Sequence, residues 1–204
     1  MAITLIGGFD ADLKGFVYDV FEALLEADER PPLTQILADQ ELAQRLTGQE
    51  IHLKRTAALT PFDIPAIVIR LLPETPTEEF IGMGIEEERQ ANVDGKWEAH
   101  FGARYRMAVA LDCVSLNSKL RDDLYRLLKV LAMIAAYNIS RDKSCGLQNP
   151  RLLPQGEGQD EFAEDPNIVY HASVVLEAEY ELGVTDAADA VGTVQVGTIT
   201  PTQG

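Results

Sequence analysis

Apolar residues recur at the three- and four-residue spacing of an amphipathic helix in two long segments of the chain. The first covers residues 10–27 and is stopped by Pro31-Pro32, and the second covers residues 118–137 with Ser118 as its expected N-cap. The apolar face of the second helix consists of Leu120, Leu124, Leu127, Leu128, Leu131, Ile134 and Ala135. A weaker pattern over residues 33–46 predicts a third, shorter helix.

Elsewhere apolar and polar residues alternate, or apolar residues form short continuous runs, as in β-strands. The strands predicted in this way cover residues 51–57, 66–72, 85–93, 96–113 and 168–182. Asp94-Gly95 lies between two of them and predicts a hairpin. Because helices and strands do not alternate along the chain, we expect an α+β fold: a mostly antiparallel sheet of about five strands with two or three helices packed on one face.

Two segments lack a clear period. Residues 139–167 are rich in Gly, Pro and Gln and predict a long loop, and residues 183–204 are small and polar and predict a flexible C-terminal extension. The pattern therefore predicts a single domain over residues 1–182.

The charge of the chain is unevenly distributed. Its 204 residues include 17 basic and 33 acidic side chains, a net charge of −16 that weighs against tight binding of nucleic acid. Residues 95–151 are predominantly basic, whereas residues 152–204 carry acids and no Lys or Arg. These blocks either pair within the chain or meet across subunits of an assembly. No apolar run approaches the length of a membrane span, about 18 residues, so we expect no membrane contact.

The histidines and cysteines of the chain do not form a recognisable catalytic or metal-binding motif. His52, His100 and His171 occupy polar positions of three different predicted strands, without ligands at metal-binding spacing. Cys113 closes an apolar strand face and is expected in the core, and Cys145 has no partner base nearby in the sequence. The sequence therefore disfavours an enzyme and predicts no cofactor and no metal.

Alternation in the last strand places Glu177, Glu179 and Glu181 on one face, opposite the apolar positions. Such an acidic stripe either faces solvent or a partner, or pairs with Arg104 and Arg106 of another strand of the sheet. Three carboxylates in a row on one strand do not match the facing pair of a glycosidase.

Over residues 10–182 an amphipathic helix, a run of strands, a long second helix and a final strand follow one another. The stretches that carry this order are DLKGFVYDVF (12–21), AIVIRLL (66–72), KLRDDLYRLL (119–128) and IVYHASVVLEAEYEL (168–182). In this order of elements the chain resembles the tail terminator proteins of long-tailed bacteriophages. It departs from the simplest members of that family in the 139–167 segment and in its C-terminal extension.

The resemblance implies a structural protein of the virion, located in the tail or neck and assembled in the host cytoplasm. It implies a homohexameric ring that caps the tail tube protein, joins the tail to the neck or connector protein and, in a contractile phage, receives the sheath protein. DNA would pass through the channel without specific binding. Glu177, Glu179 and Glu181 become candidates for an acidic channel lining.

The same resemblance makes four basic residues candidates for contacts between subunits: Arg104, Arg106, Arg121 and Arg126. Two alternatives remain open at the level of the sequence. The nearer one is another phage neck, tail-completion or tube component. The more distant one is a small enzyme or ligand-binding α+β domain, which would require a pocket with convergent polar groups.

Overall fold

The computed structural model describes residues 2–7, 11–55, 63–76, 90–91, 97–161 and 168–188, with side chains for 11–55, 63–75, 104–155 and 169–181. The helices in these residues are α1 (Leu13–Leu25), α2 (Leu33–Ile36), α3 (Gln40–Leu46) and α4 (Ser118–Arg141). The strands are β1 (Ala2–Gly7), β2 (His52–Lys54), β3 (Ala66–Leu71), β4 (Thr75–Pro76), β5 (Gln90–Ala91), β6 (Trp97–Ser115), β7 (Gln148–Glu161) and β8 (Ile168–Ala188).

The sheet is built around one long antiparallel pair, β6 and β8. Their register runs without a break from Trp97 opposite Ala188 to Ser115 opposite Tyr170. At about 3.4 Å per residue this ribbon is about 60 Å long, whereas the helix α4 measures about 36 Å. Strands β1 and β5 pair with the end of the ribbon that contains residues 97–98 and 182–187. The ribbon is therefore longer than the longest helix that packs on it.

Five strands form a continuous path in the order β1-β8-β6-β3-β2, and β4, β5 and β7 pair with its two long strands. Only β2 and β3 are parallel among the pairs that the structure describes. The mostly antiparallel α+β fold is confirmed. The predicted hairpin is confirmed as well, because Gln90 lies opposite Glu98 and Ala91 opposite Trp97; the turn itself lies outside the described residues.

Alternate residues of a strand point to opposite faces of the sheet. The helices pack on the face that carries the larger apolar residues of β3, β6 and β8. The buried strand residues that face them are Ile67, Ile69, Met107, Val109, Leu111, Cys113, Ala172, Val174, Leu176 and Ala178. The helix residues in the same core include Leu13, Val17, Phe21 and Leu25 of α1 and Leu124, Leu127, Leu128 and Leu131 of α4. The opposite side of the sheet, which we call the outer face, carries the remaining residues of β3, β6 and β8.

The N-cap of α4 is Asn117 and not Ser118. The Asn117 side chain accepts hydrogen bonds from the backbone N–H groups of Lys119 at 2.9 Å and Leu120 at 3.2 Å. Both residue types are good caps, and the deciding factor is the backbone of Asn117, which is extended rather than helical. The helix also continues four residues beyond its predicted end, to Arg141.

The loop predicted over residues 139–167 is wrong for its described part. Strand β7 pairs with β8 through most of its length, with register shifts between Gln148 and Arg151 and between Pro154 and Gly156. Proline, glycine and polar residues are tolerated there because β7 is bonded to β8 alone among the described strands, so ladder bonds on one side suffice. Residues 162–167 lie outside the described part.

The flexible extension predicted over residues 183–204 is wrong for residues 183–188. There β8 continues between β6 and β1, with Gly183 opposite both Gly102 and Ile6. These pairings rest on backbone hydrogen bonds. Because the side chains of residues 183–188 are mostly small, the sequence shows no hydrophobic alternation there. Strand β1 was not predicted, although its sequence AITLIG is rich in the apolar and β-branched residues typical of strands. Residues 189–204 lie outside the described part.

Candidate functional site

The predicted acidic stripe lies on the outer face of the sheet, where the register of β6 and β8 brings basic residues against it. Arg104 lies opposite Glu181, and Arg106 lies opposite Glu179. Glu177 lies opposite Ala108, one pair further along the ladder on the same face. The strand pairing therefore brings both arginines within reach of the stripe, and whether this face also meets solvent, a partner or a channel stays a prediction.

Each glutamate of the stripe contacts an arginine of its own chain. Arg104 Nε donates to Glu181 Oε1 at 3.0 Å, and Arg106 Nη2 donates to Glu179 Oε1 at 3.3 Å. Arg106 Nε also lies 3.8 Å from Glu177 Oε2. The stripe is thus a ladder of ion pairs between two neighbouring strands and not an uncompensated row of carboxylates.

Glu179 is the most enclosed member of this ladder, with a side chain that is 10% exposed. Its second carboxylate oxygen accepts a hydrogen bond from Asn149 Nδ2 of β7 at 2.8 Å. This bond holds the pKa of Glu179 below its ordinary value and outweighs the effect of burial, and Arg106 contributes in the same direction. Glu179 is therefore charged at neutral pH and balanced from two neighbouring strands.

A second ion pair lies further along the outer face. Arg70 Nε of β3 donates to Asp112 Oδ2 of β6 at 2.6 Å, and the hydroxyl of Ser173 in β8 donates to the other oxygen of Asp112. The bond to Asp112 raises the pKa of Arg70. Between the two sets of ion pairs lies a small apolar strip that consists of Leu72, Ala108, Ala110 and Val175. The outer face therefore carries compensated charges together with small apolar side chains, which include a second buried cluster of Ala66, Val68, Val114 and Val169 beyond Asp112.

The four predicted subunit-contact arginines do not form one patch. Arg104 and Arg106 are held by the stripe, and Arg121 is buried on α4 with its Nε 2.7 Å from Asp122 Oδ1. Arg126 is exposed on α4. The charges of the first three are compensated within the chain, and a contact of any of the four with a neighbouring subunit stays a prediction.

The histidines and cysteines remain apart. His52 and His171 lie on β2 and β8, at opposite sides of the central strands, and the side chain of His100 lies outside the described residues. Burial raises the pKa of Cys113 to about 12, and its thiol donates to the carbonyl of Ala172 at 3.3 Å. Over the residues with described side chains, no group of three or more His, Cys, Asp or Glu could hold a metal ion.

Two partners in this face were missed at the level of the sequence. Arg70 is the one charge in the apolar run 66–72, and a charge in a buried strand signals a partner on the neighbouring strand. That signal could have identified Asp112, because Asp112 lies on the polar face of its own alternating strand and can reach Arg70 from there. Asn149 carried no signal, because it lies in the segment predicted as a loop.

No protein-family model and no curated protein matches this chain. Among solved structures, it is similar to a chain of the virion of a native gene transfer agent particle, with 16% sequence identity and a TM-score of 0.26. The match covers 80% of this chain and 98% of that chain. A TM-score of this size does not establish a shared fold. None of the helices that the structure describes is long and apolar enough to span a membrane.

Proposed function

We propose that this chain is a structural protein of a phage-like virion, and specifically a tail terminator. Copies of the chain would form a hexameric ring that caps the tail tube, ends its growth and joins the tail to the neck or connector. The observation that carries the proposal is the order of elements. The four stretches on which the resemblance depends fall in α1, β3, α4 and β8 in that order, and strand β7 is an addition between α4 and β8.

The charges of the chain support passage of DNA without binding. Arg70, Arg104 and Arg106 of the outer face are paired with carboxylates of the same face, and the whole chain carries a net charge of −16. Phosphate binding is driven by available basic side chains, so this face has little to offer a passing duplex. The proposed partners are therefore proteins: the tail tube protein, the neck or connector protein and, in a contractile phage, the sheath protein.

The described cavities give little support to an enzyme. One of about 430 Å³ is lined by residues 139–140, 143 and 146–150, and Lys143 is its single titratable side chain. Acid–base catalysis needs a second group that can exchange a proton with the first or with the substrate. Another, of about 160 Å³, lies between the end of α1 and the end of α3 and is smaller than an ordinary ligand pocket, about 300 Å³ or more.

Electron microscopy of the purified protein, alone and mixed with polymerised tail tubes, tests the proposal. We expect six-membered rings and tubes that carry one ring at an end and no longer grow. Rings that stack into tubes would instead assign a tube subunit, and rings that bind a connector but never a tube end would assign a neck component. Absence of rings and of tube binding at every concentration would refute the proposal.

A further inference from the structure

Helix α1 carries two apolar stripes, although the pattern along the sequence predicts one. Leu13, Val17, Phe21 and Leu25 are buried in the core. Phe16, Val20 and Leu24 repeat at the same four-residue spacing and are only half-buried. An apolar stripe on a surface helix is expected to face another element, so the core accounts for one stripe and leaves part of the second exposed.

The second stripe opens onto a groove between α1 and α4. The groove measures about 400 Å³ and is lined by Phe16, Asp19, Val20, Ala23 and Leu24 of α1 and by Ile134 and Asn138 of α4. Beside it on α4 stand Met133 and Tyr137, which are 53% and 58% exposed. No other large apolar side chain with described exposure is as open to solvent as these two. A contiguous exposed apolar surface of this kind marks a protein contact.

The two helices that form this surface carry opposite charge. Helix α1 with its two cap residues has four acids and one base, whereas α4 with its two cap residues has five bases and three acids. On α4, Arg126, Val130, Met133 and Tyr137 follow at spacings of four, three and four and so share one face. Arg141 extends that face, since its Nη1 donates to the hydroxyl of Tyr137 at 2.9 Å.

These observations define what we call the α1/α4 surface: an apolar groove with Asp19 on its α1 side and with Arg126 and Arg141 on its α4 side. Such a surface is complementary to a copy of itself turned by a half-rotation, because acid then meets base on both sides and the apolar residues meet in the middle. The 24 residues of α4 span about 36 Å and the 13 residues of α1 about 20 Å, and each helix is about 10 Å wide. The footprint is therefore about 560 Å², below the ~800 Å² that each partner contributes to an interface of standard size, so we expect a contact of moderate affinity.

We propose that a second copy of this chain docks on the α1/α4 surface, with α1 of each copy against α4 of the other. The contact does not depend on the proposed tail-terminator function, because the helices lie on the opposite side of the sheet from the outer face. Free chains would form dimers through it, and six-membered rings that are not bound to a tube would pair as double rings. In both cases the contact doubles the mass of the particle, from one chain to two or from one ring to two.

The first experiment is sedimentation of the wild type, Met133→Glu and Leu153→Glu. Leu153 is the matched control, a 41% exposed leucine of β7 that lies on the outer face. We expect the wild type and the control to have the same mass and Met133→Glu to have half of it, with a self-association constant weakened about tenfold or more. A wild type that contains no such doubled species, or a Met133→Glu variant that retains the wild-type mass, would overturn the proposal.

A charge exchange between two variants tests the arrangement itself. Asp19→Lys and Arg126→Glu each place like charges across the contact, so each variant alone should dissociate, and a mixture of the two should recover the doubled species. Asp19 also lies 3.7 Å from Arg55 of its own chain, so Asp19→Lys removes an intrachain ion pair as well. The test of the arrangement is therefore the mixture of the two variants and not either variant alone. Recovery supports the two-fold arrangement. If instead the mixture stays dissociated, or if the wild type is single and the groove binds a helix of another protein, the second copy is the wrong occupant.

Discussion

Asn149 has two roles in strand β7. Its backbone has a φ of 49°, in the left-handed region that asparagine adopts more readily than most residues. Its side chain donates to Glu179, the most enclosed carboxylate of the outer face. A single polar residue in an irregular edge strand thus links β7 to the ion pairs between β6 and β8.

Replacement of this residue by glycine, Asn149→Gly, keeps the left-handed backbone accessible and removes the amide. The pKa of Glu179 is lowered in the folded protein, so its contribution to stability is present above the unfolded pKa, about 4.5, and is lost as the pH falls through the folded pKa. We expect the variant to lose about 1–2 kcal/mol at pH 7 and less at pH 2.5. Urea unfolding at both pH values measures the difference.

Glycine also increases the freedom of the unfolded chain, but that cost does not change with pH. A loss of equal size at pH 7 and pH 2.5 would therefore contradict the role assigned to the Asn149 amide.

The two cysteines provide a second comparison at the residue scale. Cys113 is fully buried in the core, whereas Cys145 is half-buried beside Asp142. Cys113→Ser places a hydroxyl among apolar side chains and should cost about 1–2 kcal/mol, and Cys145→Ser should change the free energy of unfolding by less than about 0.5 kcal/mol. Thermal unfolding and assembly of both variants are the measurements. Loss of assembly in a folded Cys145→Ser variant would reveal a functional site there.

At the scale of the element, the start of α4 has two adjacent residues, Asn117 and Ser118, whose types are both favoured at a helix N-cap. Asn117 caps the helix, while Ser118 is its first helical residue and is exposed. We expect Asn117→Ala to lower the free energy of unfolding by about 1 kcal/mol, because two backbone N–H groups lose their acceptor. Ser118→Ala is the control and should be close to neutral. Chemical denaturation that ranks the two substitutions in the reverse order would place the cap at Ser118 after all.

At the scale of the whole molecule, the charges of the basic middle and the acidic last quarter of the chain meet inside the sheet. Arg104 and Glu181 are 77 residues apart in sequence, and Arg106 and Glu179 are 73 apart. Two long strands bring the blocks together, so part of the apparent charge asymmetry is neutralised within one chain. This leaves less charge for contacts between subunits than the distribution along the sequence indicates.

An exchange of the paired charges tests this arrangement. The variant Arg104→Glu, Arg106→Glu, Glu179→Arg, Glu181→Arg keeps the net charge and places opposite charges across the same strands. We expect it to lose less stability than the triple lysine variant below, although it forfeits the Asn149 bond and Arg106→Glu sets a carboxylate beside Glu177. Glu177→Lys, Glu179→Lys, Glu181→Lys should lose more than about 2 kcal/mol, because like charges then face each other. Equal stability of the two variants would show that the pairs do not matter.

A channel-facing position of Glu177, Glu179 and Glu181 stays a prediction, and the same triple lysine variant addresses it. If the stripe lines a DNA channel, particles that contain the folded variant should eject DNA more slowly, most of all at low salt, because six copies attract the duplex. Ejection at the wild-type rate would place the stripe elsewhere in the assembly. Particles with the charge-exchange variant are the control, since the net charge of their face is unchanged.

The sequence by itself determined the elements whose period is carried by their own side chains. Helices α1 and α4 and the alternation of β6 and β8 were predicted because each buries one continuous apolar stripe, and so was the shared face of Glu177, Glu179 and Glu181. Only the tertiary structure decided that β7 is a strand, which arginine lies opposite which glutamate, and that Asn149 completes the set. The physical reason is that strand pairing depends on backbone groups and on a register between distant segments, and neither leaves a local pattern of hydrophobic residues.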